Sequence, residues 1–167
     1  MRIAFIGLLA LAFCLVATSA SALKVGVVDL QVVIVKSKKG KAAKKRLKKI
    51  FDKKQKALDK KQKAILEMKK VLENPSAIDS PERRRKALVE YQSSLAGLQE
   101  AFVKNQQELV KKEEQLMKPI FKKLGKILEA YSTKNGYDLV LARSQHGVVF
   151  SKPALDITKA ILKKMDQ

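Results

Sequence analysis

The sequence has no tryptophan, one cysteine and one histidine, and only 5% of its residues are aromatic. Acidic residues are fewer than half the basic ones, 16 Asp+Glu against 36 Lys+Arg. With so few aromatics, a large globular core is not expected. Cys14 lies inside an apolar run, so the remainder of the chain has no disulfide, thiol nucleophile or thiolate metal site. Phe13 stands where a lipid-modified cysteine would need a small residue. The lone His146, next to Gly147, reads as a surface turn residue and not as a catalytic base. Glu113 and Glu114 are neighbours on a helix, so they diverge and cannot act as a tight acid pair. No glycine-rich phosphate loop follows a strand, and no His/Cys/Asp set has metal-ligand spacing. The expectation is a protein that is not an enzyme and carries no cofactor.

The N-terminus has the order of a secretory signal peptide. Arg2 is the positive start, Ile3 to Ala17 is apolar, and Ala20-Ser21-Ala22 fits the small-residue cleavage rule. The apolar run is shorter than the ~20 residues that a membrane helix needs. Cleavage after Ala22 is therefore expected, with residues 1–22 removed and the mature chain, starting at Leu23, exported. That chain keeps 35 basic residues against 16 acidic, a net charge of +19. Such a field attracts acidic partners. Charge alone would suggest nucleic acid, but export argues against it. Anionic lipid and acidic proteins are the alternative partners.

From Lys36 to Glu73 there are 17 Lys+Arg and 4 Asp+Glu. Within this stretch Leu47, Phe51, Lys54, Leu58, Lys61, Ile65, Met68 and Leu72 step by alternating four and three, and six of the eight are apolar. This is a heptad seam. Pro75 and Pro81 punctuate the stretch 74–81, with Ser80 placed to cap a second helix. A matching seam follows: Leu88, Tyr91, Leu95, Leu98, Phe102, Asn105, Leu109, Lys112 and Leu116. Two seams of similar length joined by a short turn predict an antiparallel coiled-coil hairpin over residues 36–135, its tip near 74–81. Pro119 should kink the returning helix. Asn135-Gly136 should end it.

The two ends of the chain carry the strand signals. Lys24 to Asp29, Tyr137 to Leu141 and Gly147 to Ser151 read as strands, and Leu30 to Val35 as a short helix. Asp156 can cap a final amphipathic helix through Ile157, Ile161, Leu162 and Met165. The fold class is therefore α with a small β component. A long helical hairpin projects from a base made of residues 23–35 and 136–167. Its candidate oligomerisation residues are Val25, Val27, Val28, Leu139, Val140, Leu141, Val148, Val149 and Phe150. Such a base buries little apolar area, and its strand edges are sticky, so self-association is expected.

Lys24-Val25-Gly26-Val27-Val28-Asp29, the basic hairpin, Lys118-Pro119-Ile120, Gly136 to Leu141 and Asp156-Ile157-Thr158 together resemble the Skp (OmpH-like) family of periplasmic chaperones. The resemblance spans the whole mature chain and is sharpest in the terminal strands. It implies a homotrimer whose three arms enclose a cavity. Unfolded outer-membrane β-barrel proteins would be held there without ATP and passed to the outer-membrane assembly machinery. Some relatives also touch lipopolysaccharide through basic arm residues, which do not match this chain position by position.

Two sets of arm residues are candidates for binding substrate. The first is basic: Lys44, Lys45 and Arg46 near the arm root, and Arg83, Arg84 and Arg85 near the tip. They fit either a solvated face or electrostatic capture of acidic cargo. The second is a column at strict sevens beside the second seam: Val89, Ala96, Val103, Val110 and Met117. It fits either contact with the first helix's flanking column of Ile50, Ala57, Ala64 and Val71, or weak apolar contacts to cargo in the cavity. A coiled-coil tether without cargo and a polyanion binder remain the competing functions.

Overall fold

The computed structural model describes residues 22–74, 76, 78, 80–143 and 147–167. The signal-peptide segment up to residue 21, Cys14, Pro75 and His146 lie outside the described residues. The elements in chain order are β1 (Val25–Val28), α1 (Leu30–Lys36), α2 (Lys38–Glu73), α3 (Pro81–Lys134), β2 (Leu139–Ala142), a 3-10 turn (Pro153–Leu155) and α4 (Thr158–Met165).

Asp29 ends the β-branched run of β1 and caps α1, its Oδ1 accepting the Val32 N–H at 2.8 Å. Ser37 then makes an elbow. Its backbone N–H closes α1 on the Val33 carbonyl, while its Oγ donates to Ile34 O at 2.9 Å and accepts from the Gly40 N–H at 3.1 Å. One residue thus ends one helix and starts the next. Gly40 is needed there, because a Cβ would come within 1.7 Å of the Ile34 carbonyl oxygen.

The 36 residues of α2 and the 54 of α3 correspond to about 54 and 81 Å of helix. They pack lengthwise as the expected hairpin. Ser80 occupies the N-cap of α3 without a side-chain bond, followed by Pro81 and Glu82. The helix continues unbroken past Pro119 to Lys134. Proline removes one rung of the ladder, but Ile120 and Leu124 just beyond it are buried and hold the helix on the base. Gly136, at φ 65°, turns the chain out of α3.

β1 and β2 pair in parallel with Val25 opposite Leu139 and Val28 opposite Ala142, so the two ends of the chain meet. The strand expected at Gly147–Ser151 does not form. β1 has β2 on one edge. Its other edge is taken by the chain entering α4, where Val27 bridges Asp156 and its carbonyl accepts the Ile157 N–H at 2.9 Å. Residues 147–151 have no place on β1 and remain irregular, tethered by Arg143 to Ser151 at 2.8 Å. The core lies where α1, α4, the start of α2 and the last turns of α3 converge. It comprises Val28, Val33, Ile34, Ala43, Ile120, Leu124, Ile157, Ile161 and Met165.

Candidate functional site

The Asp156-Ile157-Thr158 segment closes the base. Asp156 Oδ1 accepts the Thr158 N–H at 2.8 Å, and Thr158 Oγ1 accepts the Asp29 N–H at 2.9 Å, tying α4 to the end of β1. Hydrogen bonding from Thr158 holds the Asp156 carboxyl below its ordinary range, helped by the Arg143 guanidinium, which lies 3.4 Å from it. The far end of α4 is tied down as well. Lys123 Nζ donates to Met165 O at 2.7 Å, and Asp166 accepts the Lys38 N–H at 2.7 Å. Beside the Asp156 and Thr158 bonds lies a cleft of about 670 Å³ lined by Asp29, Lys36, Arg143, Asp156, Thr158 and Lys159, among others. Of its charged groups, Arg143 and Asp156 pair with each other, and the Asp29 carboxylate is occupied as the cap of α1.

Of the candidate oligomerisation residues, Val27 and Val28 are buried, while Val25, Val140 and Val148 are half-buried. Leu139 and Leu141 are exposed. Val149 and Phe150 are almost fully in water, at 101% and 82%.

The arm is more open. Ile65 is the one buried residue in the middle of α2, and Phe51 and Phe102 each keep 49% of their surface exposed. The polar seam positions Lys54 and Asn105 meet across the hairpin at 2.8 Å, and Lys54 also pairs with Glu108. The hydrogen bond from Lys54, and then its charge, hold the Glu108 carboxyl below its usual range. A polar set of this kind fixes helix register.

Charge is sorted by face. On α2, Arg46, Lys49, Lys53, Lys56, Lys60 and Lys63 step by three and four on the side turned away from α3, and all are exposed. This basic ridge has the periodicity of a second seam, a signal present in the sequence that net charge alone hides. Lys44 and Lys45 are exposed near the root, and Lys44 lines a groove there. Arg83, Arg84 and Arg85 are exposed in the first turn of α3, where the helix dipole opposes positive charge.

The valine column does not enter the hairpin interface. Val89, Val103 and Val110 are 60%, 45% and 66% exposed. Val110 shares a groove of about 410 Å³ with Lys44, Leu47, Lys48, Phe51 and Glu113. Ala64 lies in a different groove, with Ser94 and Gly97. The α3 column and the α2 column of Ile50, Ala57, Ala64 and Val71 therefore flank opposite sides of the seam and do not meet. Met117 differs from the rest of its column: it is half-buried against the base core. A second groove of about 340 Å³ extends the first toward the root between Ile34, Val35, Ala43, Leu47, Leu116 and Met117. Heptad spacing identified the column but not these grooves, which depend on how the two helices are paired.

Among the described residues no helix is long and apolar enough to cross a membrane, and no group of three or more His/Cys/Asp/Glu is placed to hold a metal ion.

A long antiparallel helical hairpin rooted in a small sheet formed by both chain ends is a distinctive architecture. A crystal structure of the same architecture is that of an OmpH-like protein from Caulobacter crescentus, solved at 2.83 Å as a candidate outer membrane chaperone. The two superpose with a TM-score of 0.76 at 20% identity, over 86% of this chain and 84% of that one. The model of the family "Outer membrane protein (OmpH-like)" matches residues 24–165, and the chain belongs to that family. No curated protein sequence matches it significantly.

Proposed function

We propose that the protein is a periplasmic holdase, an ATP-independent chaperone without enzymatic activity that keeps unfolded outer-membrane β-barrel proteins from aggregating in transit. The observation that carries this reading is the wet apolar surface of the arm. Val89, Val103 and Val110, with the half-exposed seam residues Phe51 and Phe102, offer many shallow contacts on a rigid helical support. Each is individually weak, as reversible holding requires. The basic ridge gives a field that speeds encounter with acidic cargo and falls with salt. Three copies, associating through Leu139, Leu141, Val149 and Phe150, would cover the exposed apolar residues of the base and set three arms around a cavity. Export by the N-terminal segment and hand-over to the outer-membrane assembly machinery complete the reading.

The direct test dilutes a urea-unfolded β-barrel protein into buffer with the chain from Leu23 and follows turbidity. Suppression of aggregation without nucleotide is expected. Unaltered aggregation in the presence of a folded trimer would contradict it. A second reading, a binder of anionic lipid or lipopolysaccharide, is favoured by the ridge alone. It predicts association with any polyanion, steeply weakened by salt.

A further inference from the structure

One flank of the arm is electrically quiet in a chain of net charge +20. On α3, from Val89 to Val110, this flank carries two parallel columns. One is Val89, Ala96, Val103 and Val110, and the other is Gln92, Gln99 and Gln106, three residues further along each turn. Neither column contains a charged residue. Gln106 lines both grooves that Phe51 shares with α3, one of them with Val110, so the glutamines border the apolar surface described above. Across the seam on α2 the same flank carries Lys48, Gln55 and Lys69. Each is matched by an acid one turn on: Lys48 to Asp52 at 3.3 Å, Gln55 to Asp59 at 2.8 Å and Lys69 to Glu73 at 3.5 Å. Two of the four acidic residues of α2, Asp52 and Glu73, thus neutralise lysines on this side, and a third, Asp59, bonds the neutral Gln55. The cations of the ridge, by contrast, stand in a row on the far face of α2.

Resting on the holdase reading, we propose that this flank grips cargo by its main chain, taking an extended, unfolded polypeptide segment whatever its sequence. A primary amide has two donors and a carbonyl acceptor, the same kinds of group that a peptide unit presents. Gln92, Gln99 and Gln106 are exposed and make no hydrogen bond among the described residues. Their amides are therefore free to exchange water for peptide groups. The spacing also fits. Seven helical residues rise about 10.5 Å, close to three residues of extended chain at about 3.4 Å each. A segment laid along the flank would meet a glutamine at every third residue, with valines between them for its apolar side chains. Charge would interfere here, because a lysine row would select acidic segments and repel basic ones. The arm thus divides the work: the ridge steers cargo in, and the uncharged flank holds it.

The test compares three forms of the chain from Leu23 with two unfolded β-barrel proteins of unrelated sequence, reading association and dissociation rates at low and high salt. The forms are wild type, the triple variant Gln92→Ala, Gln99→Ala, Gln106→Ala, and the ridge variant Lys53→Gln, Lys56→Gln, Lys60→Gln. Alanine favours helix, so the flank variant should fold, with helicity checked by circular dichroism. Losing three amide contacts should raise the dissociation rate about tenfold or more for both cargoes, leaving association unchanged. The ridge variant should slow association at low salt and leave dissociation unchanged. A fourth form, the pair Val103→Ser, Val110→Ser, added to these three should also speed dissociation. Wild-type binding with an unchanged dissociation rate in the glutamine variant would overturn the inference while leaving the holdase reading standing. So would a loss confined to one cargo. No binding by the wild-type chain would overturn both.

Discussion

In the base, Val33, Ile161 and Met165 are at most 1% exposed. In the arm, the seam residues Phe51 and Phe102 keep 49% of their surface in water. The base converges four helical segments and both strands on one small core, and its polar groups are bonded across chain ends more than 100 residues apart. The arm has only two helices, and two helices cannot bury a seam from both sides. The difference separates stability from adhesion. The base fixes where the arm starts and what direction it takes, and the arm leaves apolar surface in water, as the proposed holding of cargo requires.

This contrast should appear in unfolding measurements. Ile161→Ala removes a fully buried side chain and should cost about 4 kcal/mol in denaturant-midpoint analysis. Gly40→Ala drives a methyl into the Ile34 carbonyl at the elbow and should cost about 3 kcal/mol. It should also loosen the arm root, since Ser37 and Gly40 join the two helices. Phe102→Ala in the half-exposed seam should cost about 2 kcal/mol, less than the 3–5 kcal/mol of a buried phenylalanine. An equal cost for Phe102→Ala and Ile161→Ala would break the comparison. Thr158→Val leaves the Asp29 N–H without its acceptor and should cost about 1 kcal/mol.

The same substitution sharpens the pH dependence. The Asp156 carboxyl titrates below its ordinary value because of Thr158. Its contribution is therefore fully present above the unfolded carboxyl range, about pH 4, and is lost as pH falls through the lower folded value. Thermal melts of wild type should weaken across that window. Those of Asp156→Asn should weaken less, and Thr158→Val should move the Asp156 titration upward in a carboxyl-resolved NMR experiment.

The hairpin was legible from the heptads because a seam repeats over many turns, and even its polar interruptions proved informative: Lys54 and Asn105 face each other. The elbow at Ser37 and Gly40 was not legible. A lysine-rich stretch with one glycine gives no periodic signal, and the requirement for glycine arises only from the approach of the Ile34 carbonyl. Val148, Val149 and Phe150 read as a strand because they are β-branched and aromatic, yet they join neither strand: the Asp156 segment takes the second edge of β1, and among the described residues the outer edge of β2 stays unpaired. The valine column was visible by its sevens. Which side of the seam it flanks, and so whether it meets Ile50, Ala57 and Ala64, is set by the antiparallel pairing of the helices and not by spacing along either one.

The most direct test of the holdase reading is the mass of the soluble complex formed when an unfolded outer-membrane β-barrel protein is diluted from urea into the chain from Leu23, measured by light scattering coupled to sizing. The account predicts one cargo chain with three subunits. A three-subunit species that leaves the cargo in the pellet would contradict it and point to a tether or a polyanion binder.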